Sequence, residues 1–113
     1  MKAMILGAGR IGRGFVSELL HANQVEITYF DASSVMVDKL NEKKEYTIHV
    51  LGAEELNTHM EGVQAHLFYD IDALCSCWKE ADFLFTACGG KNMGNVGETL
   101  AKAFKRLVEE NAV

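Results

Sequence analysis

Residues Ala3, Met4, Ile5 and Leu6 form an unbroken apolar run without polar alternation, which predicts a strand buried on both faces and ending at Gly7. The period then changes. Ile11, Phe15 and Leu19 recur every four residues with Val16 and Leu20 beside them, whereas Ser17, Glu18 and His21 fall off that stripe. An amphipathic helix is expected there. A second strand is predicted over residues 25–30, stopping at Asp31, and Met36, Val37 and Leu40 follow at helical spacing up to a polar stretch at 41–45.

The middle of the chain breaks this rhythm. Tyr46, Ile48 and Val50 alternate with Thr47 and His49, Gly52 follows, and further extended segments are expected at 55–58 and 63–67, together forming an antiparallel meander. Helical spacing returns at Ile71, Leu74, Cys75 and Trp78, with Asp70 placed as N-cap. An apolar strand over 83–87 breaks at Gly89 and Gly90, and Val96, Leu100, Ala103, Phe104 and Leu107 mark a long final helix. Strands alternating with helices predict an α/β domain with a mostly parallel sheet and an inserted antiparallel meander.

With 113 residues, 49% of them hydrophobic, the chain fits a single globular domain. Eleven basic against sixteen acidic residues give a net charge of −5, which argues against a nucleic-acid partner. The apolar runs are strand-sized, well short of the roughly 20 residues of a membrane span, so a cytoplasmic protein is expected. Cys75, Cys77 and Cys88 are odd in number and lack Cys-x-x-Cys spacing, so they read as reduced thiols. His21, His49, His59 and His66 show no metal-ligand spacing and read as surface or structural residues, so no metal site is expected.

The chemistry concentrates in Gly7-Ala8-Gly9-Arg10-Ile11-Gly12, a G-x-G-x-x-G that leaves a predicted strand and opens a predicted helix. The first glycine allows a tight turn, the second close approach of a pyrophosphate to the backbone, and the third close packing of helix on strand; the helix N-terminus adds unpaired N–H groups and a partial positive charge. Gly14 marks a further close approach. With this fingerprint the fold reads as a Rossmann-type doubly wound sheet, of which the chain holds one full mononucleotide half, the meander and one further strand-helix unit. Residues 1–113 are thus expected to be the N-terminal cofactor-binding part of a longer enzyme.

Asp31, nineteen residues beyond Gly12, stands where a carboxylate accepts the ribose hydroxyls. It opposes a 2′-phosphate by about 1 kcal/mol at 4 Å in water and about 4 at an effective dielectric of 20, so NAD is expected to bind about tenfold or more tighter than NADP. Arg10 and Arg13 put cations in a first helical turn, against the dipole. Arg10 is either an anion contact or a solvated side chain, whereas Arg13 reads better as solvated or structural. Thr86, Ala87, Cys88 and Gly89 end a strand, where ligands of open sheets bind, and are expected to line the nicotinamide side. Cys88 has no assignable base beside it and reads as a small hydrophobe, not a nucleophile.

The stretch from Met1 through Gly7-Ala8-Gly9-Arg10-Ile11-Gly12-Arg13-Gly14-Phe15 resembles the start of the long-chain mannitol dehydrogenases, as do Phe30-Asp31, Leu40-Asn41, the Tyr-Thr-Ile-His-Val-Leu-Gly run at 46–52, and Thr86-Ala87 followed by Gly89. The resemblance implies reversible NAD-dependent oxidation of a polyol phosphate, mannitol 1-phosphate to fructose 6-phosphate. It also implies a lysine base in a helical C-terminal domain that no residue here matches. The chain alone is then a cofactor-binding half without activity, and its open sheet edge predicts self-association. The rival reading is a non-catalytic NAD-sensing module of the potassium-transport type, which shares the glycine loop and the acidic strand end but continues directly into a third strand ending near Gly-Asp. A methyltransferase fits less well, because the full fingerprint suits a pyrophosphate.

Overall fold

The computed structural model describes residues 1–9, 12–48, 52 and 57–111. Strand β1 (Lys2–Leu6) lies between β2 (Glu26–Asp31) and β6 (Phe83–Thr86), and β5 (Gln64–Leu67) lies beyond β2; all four run parallel in the order β5-β2-β1-β6. Leu6 is in register with both Phe30 and Thr86, so three strands end level along one rim. A separate antiparallel hairpin pairs β3 (Glu45–Ile48) with β4 (Thr58–Glu61), Tyr46 facing Met60.

The unbroken apolar run of β1 follows from its central place. Ala3 and Ile5 enter one core with Leu20, Tyr29, Val37 and Leu40, while Met4 and Leu6 enter the other with Phe30, Leu74, Ala103 and Leu107. The first core lies under α1 (Ser17–Ala22) and α2 (Ser34–Lys43), the second under α3 (Ile71–Glu80) and α4 (Met93–Glu109). Helices on opposite faces complete the doubly wound arrangement. Asp70 caps α3 as expected, accepting the Ala73 N–H at 3.1 Å.

Three expectations need correction. The segment at 63–67 does not join a meander: β5 pairs in parallel with β2, so only β3 and β4 form the antiparallel insertion. Four residues with one buried alanine carry too short an alternation to tell a parallel from an antiparallel partner. Part of the alternating run, at 49–50, and half of the extended candidate at 55–58 lie outside the described residues. The helix after the glycine loop opens with a π-type turn, Gly12–Val16, ahead of α1. That wider turn takes up an extra residue and slips the helical stripe, so Ser17 is fully buried and Leu19 is 54% exposed, the reverse of the α-helical expectation. Finally, β6 is the edge of the sheet, leaving Phe83 42% and Leu84 36% exposed despite their apolar sequence.

The opposite edge is finished differently. The side-chain amide of Asn41, on α2, donates to the Ala65 carbonyl at 2.8 Å and accepts the Ala65 N–H at 2.9 Å.

A candidate dinucleotide crevice at the carboxyl rim of the sheet

The turn leaving β1 is anchored on both sides. The Gly7 N–H donates to the Phe30 carbonyl at 2.7 Å, and the Ala8 N–H donates to Asp31 Oδ2 at 2.8 Å. Gly7 has φ +117°, and a Cβ there would lie 2.6 Å from the Ala87 carbonyl oxygen, so the close passage of β1 and the strand-end residue Ala87 requires glycine. Asp31 also accepts the Ser33 N–H on Oδ1 at 2.8 Å. A carboxylate has roughly four acceptor positions; two are filled by backbone and the remainder lie at the crevice.

Arg13 serves the loop itself: its Nε donates to the Ala8 carbonyl at 2.6 Å and its N–H to the Gly9 carbonyl at 2.9 Å. Gly14 lies in the π-type turn, with nothing within 4 Å of a would-be Cβ. Arg10 and Ile11, the other two loop residues of interest, lie outside the described residues.

A crevice of about 250 Å³ runs along this rim. It is lined by Gly7 and Gly9 of the loop, by Asp31 at the end of β2, by Phe68 and Tyr69 after β5, and by Ala87, Cys88, Asn92 and Asn95 after β6. Thr86 pairs beside Leu6 at the end of β6 and is not among the residues lining the crevice, whereas Ala87 is, its N–H donating to the Leu6 carbonyl at 2.8 Å. Gly89 turns the chain at φ +78° into the short helical turn Gly90–Asn92 that precedes α4. The Cys88 thiol lies 3.5 Å from Met93 Sδ. Gly9 fits a pyrophosphate cradle: nothing lies within 4 Å of a would-be Cβ, which leaves the loop backbone open to a ligand. A larger groove of about 850 Å³ lies at the other ends of the strands, near Lys2, Glu26, Gln64 and Glu80, away from every glycine-loop residue. Ligands of open α/β sheets bind at the carboxyl ends of strands, so the smaller crevice is the candidate.

The whole chain, residues 1–113, matches the family model for the mannitol dehydrogenase Rossmann domain. The chain belongs to the mannitol dehydrogenase family. It is similar to the mannitol-1-phosphate 5-dehydrogenases of Clostridium acetobutylicum, at 37% identity, and of Caldanaerobacter subterraneus subsp. tengcongensis, at 33%, each over 98% of this chain and 29% of the relative. The relative in Shouchella clausii is 35% identical over 100% of this chain and 30% of its own length. The chain thus spans under a third of the curated relatives it matches.

A mannitol dehydrogenase Rossmann domain is a nicotinamide-dinucleotide domain, and NAD(H) is the cofactor this family match carries. Phe68, Tyr69, Asn92 and Asn95 escaped the sequence reading, because their place at the rim depends on strand order and not on spacing from the glycines. Among the described residues no group of His, Cys, Asp and Glu could hold a metal ion, and no helix is long and apolar enough to cross a membrane. His59 lies between Glu45 and Glu61 on the hairpin, and His66 packs against Phe30, a residue of the crevice lining; His49 lies outside the described residues.

Proposed function

We propose that residues 1–113 are the N-terminal NAD-binding domain of a longer cytoplasmic polyol-phosphate dehydrogenase that interconverts mannitol 1-phosphate and NAD with fructose 6-phosphate and NADH, and that this domain alone is inactive. The observation that carries the reading is the convergence of the glycine turn and the Asp31 carboxylate, joined by the 2.8 Å bond from Ala8. When bound, NAD supplies the two-electron acceptor. The chain's own residues bind and orient it: Gly7 to Gly14 at the pyrophosphate, Asp31 at the adenosine ribose, and Thr86 to Gly89 toward the nicotinamide. Turnover also needs a substrate held against the nicotinamide and a base near working pH, which this reading places outside residues 1–113. In the absence of further strands, the exposed Phe83 and Leu84 edge is expected to bring two copies together. The antiparallel hairpin that follows α2, together with family membership, favours this reading over the NAD-sensing module.

Calorimetric titration of the chain and of Asp31→Asn with NAD and NADP tests it. Asn retains an oxygen for the Ala8 N–H while removing the charge. Wild type is expected to favour NAD by about tenfold or more, and the variant to lose most of that preference. A cooperatively melting wild type that binds neither nucleotide at millimolar concentration would refute the cofactor site.

A further inference from the structure

Three hydroxyls form a chain beneath the glycine loop. Ser17 Oγ donates to the Gly12 carbonyl and lies 2.6 Å from Tyr29 Oη; Tyr29 Oη lies 2.5 Å from Tyr46 Oη; and Tyr46 donates to the Arg13 carbonyl at 2.7 Å. Tyr46 comes from the β3–β4 hairpin, outside the parallel sheet. The two outer hydroxyls therefore grip successive peptide planes in the first turn after the loop.

Each peptide is planar and trans, so its carbonyl and the N–H of the next residue point in opposite directions. Fixing the Gly12 and Arg13 carbonyls therefore fixes the tilt of the two peptide planes on which the loop runs into the helix, and with it the aim of the helix end offered to an anion. The clamps act alongside Arg13, whose side chain and N–H hold the Ala8 and Gly9 carbonyls. Four carbonyl oxygens of the loop and the first turn, those of Ala8, Gly9, Gly12 and Arg13, are thus committed to donors.

Resting on the cofactor reading above, we infer that Tyr46 and Ser17 are positioning residues for the pyrophosphate of the dinucleotide, and that Tyr46 makes the hairpin part of the cofactor site without touching the ligand. Tyr29 has a different standing. The chain has four oxygen–oxygen links and only three hydroxyl protons. Both ends are carbonyls, which only accept, so Ser17 and Tyr46 spend their protons outward and Tyr29 serves only one of its two neighbours. Removing the Tyr29 hydroxyl leaves both carbonyl grips in place, whereas removing that of Tyr46 leaves the Arg13 carbonyl without its hydroxyl donor.

Binding of NAD and of adenosine to wild type, Tyr46→Phe, Ser17→Ala and Tyr29→Phe, followed by backbone-amide NMR titration, separates these roles. Tyr46→Phe and Ser17→Ala are each expected to weaken NAD by about fivefold to tenfold. Adenosine, which lacks the pyrophosphate, is expected to change less than about twofold in both, and Tyr29→Phe to stay within about twofold for both ligands. Equal losses for NAD and adenosine would mean a merely structural role and overturn the inference, as would unchanged NAD affinity in Tyr46→Phe. Should Tyr46→Phe fail to fold, Ser17→Ala decides by the same ratio. A wild type that binds neither ligand overturns the cofactor reading itself, and this inference with it.

Discussion

Gly9 and Gly12 share a motif but are glycines for different reasons, and alanine at each separates them. A Cβ at Gly9 meets nothing within 4 Å, whereas one at Gly12 strikes the Gly7 carbonyl oxygen and comes within 3.3 Å of the Ile5 side chain. Gly9→Ala is therefore expected to melt like wild type while losing about tenfold or more in NAD affinity, and Gly12→Ala to lose about 1–3 kcal/mol of stability by overpacking. Thermal melts and titrations on the two variants check this; equal melting losses would contradict it. A second residue-scale expectation concerns Tyr29, whose phenol is pushed above its ordinary range, chiefly by burial. The neutral form is favoured in the folded state, so the contribution of Tyr29 is complete below the unfolded value near 10 and declines as pH rises above it, by about 1.4 kcal/mol per pH unit. Urea denaturation between pH 9 and 11 is expected to show a shallower decline in Tyr29→Phe. The meeting of the glycine turn with Asp31 was legible in the sequence because it follows from short spacings along one strand-turn-helix unit and the strand after it. Tyr46 was not, since its partners on Arg13 and Tyr29 come from pairings remote in the chain.

Elements were legible wherever a hydrophobic period ran long enough to choose a partner face. β1, β2, α3 and α4 lie where the pattern placed them, while the four-residue β5 was assigned to the wrong sheet. The first helix shows a subtler limit: an ideal 3.6-residue repeat assumes no inserted residue, and the π-type turn at Gly12–Val16 inserts one. A polar residue then sits where the stripe promised leucine. The end of α2 carries its own test. Lys44 ends the helix at φ +56°, its N–H donating to the Leu40 carbonyl at 2.8 Å. A left-handed conformation costs a non-glycine residue about 1–2 kcal/mol. Lys44→Gly is expected to recover part of this, raising stability by about 0.5–1 kcal/mol after its greater unfolded-state entropy is counted. A lower denaturation midpoint in this variant would count against the geometry of that cap.

For the molecule as a whole, the two edges of the sheet decide how it meets its own kind. β6 presents free backbone groups with Phe83 and Leu84 half-exposed, so dimerisation through that edge is expected to appear in sedimentation velocity as a concentration-dependent shift. A single sharp monomer boundary across a hundredfold dilution series would count against it. At the other edge, the Asn41 amide imitates the backbone of a neighbouring strand by taking both the N–H and the C=O of Ala65. One side chain therefore gives the sheet a direction of growth. Among the described residues of the parallel sheet β6 is then the open edge, and an assembly of copies joined there is expected to stop at two. Asn41→Ala uncovers a second side on every copy, turning a self-limiting pair into a unit able to add neighbours end over end, and the same substitution that costs about 1–3 kcal/mol in lost hydrogen bonding is expected to convert closed dimers into open chains.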